Sequence, residues 1–323
     1  MGRYSTYGSS EIILHIPRSW PWTKAEISSY RELTRPFTLI YPAVAVLSSA
    51  LCAVGYELVV WDFGLITRIL LCAVAASFLN AASNVLNQIA DLEIDRINKP
   101  ERPLSRGAIS IASAWRYTVI LYVFAMASFA LIDLAGGSYC FVIGILTALI
   151  TYFYSFGLRT KAHWIAANFT IALGRGLLVV LMGWSCVSQV AVWDPVIIGS
   201  IFGIFLFGAA SSKDFSDIKG DEAHGCITLP VQIGVVKACW VMVPFLCLPF
   251  LLTSAGSYFN WLMGDPTVLM ILGLVMSIWG MLTVYLIVRK PKAMCSVENH
   301  PSWIHMYLML MMAQVGYAVA YLA

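Results

Sequence analysis

The chain has 323 residues, 60% of them hydrophobic and only 11% charged, with a formal net charge of +3. A water-soluble domain carries roughly 25% charged residues, so the composition excludes an ordinary soluble protein and points to a bilayer; no nucleic-acid partner is expected. The eight cysteines fall mostly inside apolar runs and form no Cys-x-x-Cys pair, which argues against a zinc site or a redox dithiol.

Residues 1–35 are charged and lack the apolar core of a secretory signal. They are read as a cytoplasmic N-terminal segment, with Trp20 and Trp22 as membrane-belt residues. Apolar runs of the length that crosses a bilayer as a helix then come at about 36–55, 69–90, 114–133, 139–157, 164–187, 194–212, 236–255, 266–288 and 303–322. The expected fold is therefore an all-α integral membrane domain over 36–323, with nine transmembrane helices around a central cavity. Lys and Arg residues cluster before the first run and after the second, fourth, sixth and eighth; only Arg68 lies on the opposite side, and Arg175 lies within a run. The positive-inside rule puts the N-terminus and those basic loops in the cytoplasm.

Two cytoplasmic stretches hold the clustered acid. Asn87, Asp91 and Asp95 recur every fourth residue after the second run, with Asn80 and Asn84 extending the polar stripe into the apolar run. Asp214, Asp217 and Asp221 come after the sixth run at spacings that again share one helical face. Carboxylates without His or Cys favour a hard cation, Mg²⁺ rather than Zn²⁺. Mg²⁺ is commonly completed by phosphate oxygens, and the neighbouring Arg and Lys residues would bind the same phosphates. In a membrane, with room for a hydrocarbon tail, these parts describe a site for a lipid diphosphate. Within the fifth run, Arg175 between Gly174 and Gly176 is expected to face a cavity, because an intramembrane charge is functional by default. Asn168, earlier on the same run, is a candidate for the same cavity or for an interhelical hydrogen bond.

The chain resembles the UbiA superfamily of intramembrane prenyltransferases. The family's Asn-x-x-x-Asp-x-x-x-Asp motif matches Asn87, Asp91 and Asp95. Its second motif matches Asp214, Asp217 and Asp221, and its tyrosine-and-basic segment looks like Tyr154 through Arg159 to Lys161. The texture of 97–104 and 220–222 is most similar to the branch that includes digeranylgeranylglyceryl phosphate synthases and chlorophyll synthases. The resemblance implies Mg²⁺ held by Asp91, Asp95, Asp214 and Asp217, with Asn87 and Asp221 as further ligands or as supports of the ligands. It also implies that Arg102, Arg159, Lys161 and Lys213 meet the diphosphate of an allylic donor, that Tyr154 contacts the diphosphate or the developing cation, and that a lipophilic or aromatic acceptor receives the prenyl group. A cyclase that releases diphosphate without an acceptor remains an alternative. So does a secondary transporter, although the acid here sits at the cytoplasmic ends and not at the midplane where transporters place it.

Overall fold

The computed structural model describes residues 23–296 and 300–323. Trp20, Trp22 and the rest of the N-terminal segment before Thr23 lie outside the described residues. Helix α1 (Lys24–Leu33) opens with a capping box in which Thr23 and Glu26 satisfy each other's backbone N–H groups. A single 3₁₀ turn (Pro36–Leu39) leads into α2 (Ile40–Glu57). Arg35, between them, is left-handed at φ 53°, an unfavourable conformation for a residue with a side chain.

The remaining helices run in order. α3 (Phe63–Ala90) starts on the side chain of Asp62, which accepts from the N–H of Leu65 at 2.6 Å. Next come the short α4 (Leu92–Asn98), α5 (Ile111–Leu134) and α6 (Cys140–Ser155). α7 (Trp164–Ile171) passes through a π-helical turn (Ala172–Leu178) into α8 (Val179–Ser185). α9 (Asp194–Ala209) passes through a 3₁₀ turn into α10 (Asp214–Ala223). α11 (Leu229–Ile233), α12 (Val235–Tyr258), α13 (Pro266–Arg289) and α14 (Pro301–Leu322) complete the chain. Pro244 and Pro249 sit inside α12, a placement that membrane helices tolerate.

Among the described residues, eight helical segments are long and apolar enough to cross a membrane. The fourth apolar run, the one not among those eight, is present as a helix, but α6 has only 16 residues. At 1.5 Å per residue it reaches about 24 Å, short of a hydrocarbon core of about 30 Å. The break comes where Phe156 leaves the helix in extended conformation and the chain turns back through Gly157 at φ 63°.

α2 packs against α3, α8 and α14; α3 packs against α5; and α12 packs against α9 and α13. The π turn lies against α9, where a Cβ on Gly176 would come 2.4 Å from the Cα of Gly203. Without side chains at that crossing the two backbones come together, and the wider π turn carries Arg175 to the cavity side. α2, α3, α6, the π turn, α9 and α14 enclose a cavity of about 330 Å³.

Candidate active site

Both acidic stretches sit where a long apolar helix breaks. α3 ends at Asp91 (φ −101°, ψ 12°), and α4 begins one residue later. The sequence pattern implied one uninterrupted helix through Asn87, Asp91 and Asp95. The break is real, but the amide of Asp91 still reaches the carbonyl of Asn87 (2.9 Å) and that of Asp95 the carbonyl of Asp91 (2.7 Å), so the stripe keeps its common face. In the second stretch, α9 loosens into the 3₁₀ turn at 210–213, and α10 carries Asp214, Asp217 and Asp221.

Around the first stretch, Lys161 from the α6–α7 loop contacts Asp91 at 2.7 Å and the Asn87 amide oxygen at 3.3 Å. Ser155 also reaches that oxygen, at 3.4 Å. Arg159 lies 3.9 Å from Asp91 and sits, like Arg35, in the left-handed region, at φ 45°. One guanidinium nitrogen of Arg102 holds both oxygens of Asp95 at 2.6 Å. Burial pushes the Asp95 carboxyl above its usual range, and Arg102 opposes that shift. Burial likewise lowers the Lys161 ammonium, against the attraction of Asp91.

Around the second stretch, Lys99 contacts Asp217 at 2.9 Å. Asp214 and Asp221 are buried, and among the described residues no ion pair reaches either. Lys213 donates to the Tyr154 hydroxyl at 2.5 Å and lies 5.2 Å from the centre of its ring, which joins the second stretch to the end of α6. Neighbouring loops are tied as well: the N–H of Ile227 donates to the carbonyl of Ala162 at 2.7 Å and that of Trp164 to the carbonyl of Ile227 at 3.0 Å.

The cavity reaches the first residues of both stretches, while Asp91, Asp95, Asp214, Asp217 and Asp221 do not line it. Asn87 and Lys213, which head the two stretches, line it together with Tyr154, Asn80 and Arg175. Arg175 donates to Asn80 at 2.9 Å. The rest of the wall is largely apolar, including Val179, Met182, Leu206 and Leu310.

A second cavity of about 320 Å³ adjoins the first and shares Arg35, Thr38, Lys213 and Trp303 with it. Its other cations are Lys99 and Arg102, set against the single carboxylate of Glu32. Arg35 is buried enough that its guanidinium is lowered to about 10, by desolvation first and by the neighbouring Arg102 second. One of its terminal nitrogens is buried with no hydrogen-bond partner, an arrangement that suits an anion. Asn168 lines neither cavity: it is buried and donates to Ser211 at 2.7 Å. It makes the interhelical bond, from α7 to the turn after α9.

Sequence reasoning missed Arg35, and it did not show what the amides of Asn80, Asn84 and Gln88 bind. The Asn84 amide donates to the Thr34 carbonyl (2.8 Å) and Thr38 hydroxyl (2.9 Å), that of Asn80 to the Thr38 carbonyl (3.1 Å), and that of Gln88 to the Leu33 carbonyl (2.7 Å). These amides satisfy the carbonyls exposed where α1 ends and the backbone reverses at Arg35. The Arg35-Pro36 pair was the available signal, since the residue before a proline is pushed out of the helical region.

Among the described residues, no three acidic, His or Cys side chains converge as a ready-made metal cage. The donor chemistry nonetheless fits Mg²⁺: the available donors are carboxylate and amide oxygens, and Mg²⁺ usually takes one or two carboxylates and completes its shell with water and phosphate.

Known proteins are similar to this chain in sequence and in fold. It is 29% identical over 266 residues to a digeranylgeranylglyceryl phosphate synthase of Methanococcus aeolicus, covering 82% of this chain and 88% of the relative. It is 27% identical over 233 residues to the enzyme of the same name from Sulfurisphaera tokodaii, covering 72% and 79%. A solved structure concerned with digeranylgeranylglyceryl phosphate synthase in membranes superposes with a TM-score of 0.66 at 25% identity, over 92% of this chain and 99% of that one. A UbiA homologue from Archaeoglobus fulgidus, bound to DMAPP and Mg²⁺, shares the fold with a TM-score of 0.66 at 18% identity, over 91% and 99%. With residues 40–320 matching the family model as well, the chain belongs to the UbiA prenyltransferase family.

Proposed function

We propose that this protein transfers a prenyl group from an allylic prenyl diphosphate to a lipophilic acceptor, in a Mg²⁺-dependent reaction at the cytoplasmic end of nine membrane-crossing helices. The observation that carries this reading is the placement of Asn87 and Lys213, the heads of the two acidic stretches, on the wall of one largely apolar cavity. Residues 36–323 form the membrane domain and residues 1–35 lie in the cytoplasm, as the distribution of Lys and Arg supports. The short α6 serves as the remaining crossing.

Mg²⁺ bound through Asp91, Asp95, Asp214 and Asp217, with Asn87 and Asp221 beside them, would neutralise the diphosphate and make it a better leaving group. The chain's own bases do the rest of the binding. Lys161, Arg159 and Arg102, now spent on Asp91 and Asp95, exchange those contacts for phosphate oxygens as the diphosphate enters. Lys213 and the Tyr154 hydroxyl face the bridge between diphosphate and tail. As the allylic C–O bond breaks, negative charge grows on the departing oxygen, and fixed donors in a site with little water stabilise it most at that moment. The tail lies among Val179, Met182, Leu206 and Leu310, where water is excluded from the electron-poor carbon. The Tyr154 ring, on the wall of the same cavity, would support that carbon.

The second cavity supports transfer over cyclisation, since a cyclase has no use for a separate cationic chamber. A phosphate-bearing acceptor suits Arg35 and Lys99 there, in keeping with the glyceryl phosphate in the relatives' name. The test is purified protein with Mg²⁺ and radiolabelled geranylgeranyl diphosphate, offered phenolic and glycerol-phosphate acceptors. Diphosphate release coupled to prenylation of the phosphate-bearing acceptor is expected, with Arg35→Gln raising the KM for that acceptor about tenfold. No release from any donor, with or without acceptor, would sink the enzyme reading; release with a new hydrocarbon and no acceptor would establish the cyclase.

A further inference from the structure

The two acidic stretches are joined through one side chain that belongs to neither set of carboxylates. Asn98 closes α4, three residues beyond Asp95. Its Oδ1 accepts from the N–H of Gly220 at 3.0 Å, and its Nδ2 donates to the carbonyl of Asp217 at 3.0 Å. Both partners are backbone groups of α10, so a planar amide is seated at two points on one helix. Lys99, the next residue, adds its contact to the Asp217 carboxylate. The close approach also accounts for the glycine: a Cβ at Gly220 would stand 2.4 Å from Nδ2 of Asn98. The backbone groups that Asn98 grips belong to Asp217 and to the residue before Asp221, so its position fixes where those carboxylates lie relative to Asp91 and Asp95.

We propose that Asn98, seated on Gly220, is a positioning residue that sets the separation of the two acidic stretches before metal or diphosphate arrives. Carboxylates on two facing helices repel, and those of α10 have little compensation of their own. A joint made of neutral backbone–amide hydrogen bonds holds the helices together without consuming a carboxylate oxygen. Loss of the joint leaves the bound metal and diphosphate to draw α4 and α10 together, so its effect falls on the Mg²⁺ concentration required and much less on the rate once Mg²⁺ saturates. This inference rests on the Mg²⁺–diphosphate reading of the site.

The experiment compares wild type, Asn98→Ala, Gly220→Ala and the double variant, using Mg²⁺ with inorganic diphosphate as the probe. The readout is the Mg²⁺ concentration that gives half of the thermal stabilisation, with the Mg²⁺ dependence of diphosphate release from geranylgeranyl diphosphate as a second measure. Each single variant should raise the half-saturating Mg²⁺ about tenfold, the lower end of what removing a support behind metal ligands costs. The double variant should be no worse than Asn98→Ala, because the new methyl enters the space the amide has left. A purely structural weakening would lower the metal-free Tm and leave the half-saturation point unmoved. An unchanged half-saturation in Asn98→Ala, or a double variant carrying the product of the two single effects, overturns the proposal. If Asn98→Ala does not fold, Gly220→Ala decides by the same readout. Wild type that gains no stability from Mg²⁺ and diphosphate, and releases none from the donor, would instead sink the reading of the site itself.

Discussion

The first acidic stretch lies across a helix break, and bases from two separate loops already hold its carboxylates: Lys161 and Arg159 on Asp91, Arg102 on Asp95. The second lies on one continuous helix, and of its three carboxylates only Asp217 has an ion pair among the described residues. Similar spacings of acid in sequence therefore produce two electrostatic environments. The first is charge-compensated before any ligand binds; in the proposed reaction its bases would change partner when a diphosphate arrives. The second keeps Asp214 and Asp221 buried with no ion pair among the described residues, a state that disfavours their charged forms.

The largest effect expected from this difference is on the chemistry itself. Asp91→Ala and Asp214→Ala should each reduce diphosphate release by at least about a thousandfold, measured with labelled donor at saturating Mg²⁺. The two should part company in stability. Asp214→Ala removes a buried carboxyl that no ion pair reaches among the described residues and should leave the metal-free protein as stable as wild type or more so, whereas Asp91→Ala strands the buried ammonium of Lys161 and should lower the Tm. Equal stability losses would break the comparison.

A smaller effect is expected from the bases. Lys161→Ala leaves Asp91 without its closest cation and should cost about 3 kcal/mol, read from chemical unfolding in detergent, and raise the KM for the donor. Lys99→Ala should cost less, because the Asp217 side chain is more exposed than that of Asp91 (24% against 15%) and Asn98 still holds α10. The reverse order would put the compensated side of the site on the wrong stretch. The smallest effect is expected at Asn168, whose amide serves Ser211 and not the cavity. Asn168→Leu should cost about 1 kcal/mol of stability and leave the donor KM within about twofold; a large rise in KM would bring that residue back to the substrate.

Much of the fold was legible because membrane burial demands long apolar runs, and these are visible in composition alone. α6 is the exception. Its apolar run extends to Gly157, but the helix stops at Ser155, since the turn after it depends on the packing of the Arg159–Lys161 loop over Asp91. The acidic stretches were legible because their carboxylates recur at helical spacing beside an apolar run. Arg35 was not, because its meaning comes from Thr34 and Thr38 docking on Asn84, about fifty residues away in sequence. Nor could the sequence show that Lys213 and Tyr154 meet, or that Arg102 serves Asp95 while Lys99 serves Asp217. Long basic side chains have several acidic neighbours within reach, and only the relative placement of the helices chooses among them.

By itself, then, the sequence determined the apolar spans, the helical class and the family, because each depends on residue type and local spacing. The tertiary structure decided which carboxylates are compensated and which stand alone. It also revealed a cationic chamber beside the apolar cavity, and it seated Asn98 on Gly220. Those outcomes depend on contacts between residues distant in the chain, at separations of a few ångströms that no periodicity encodes.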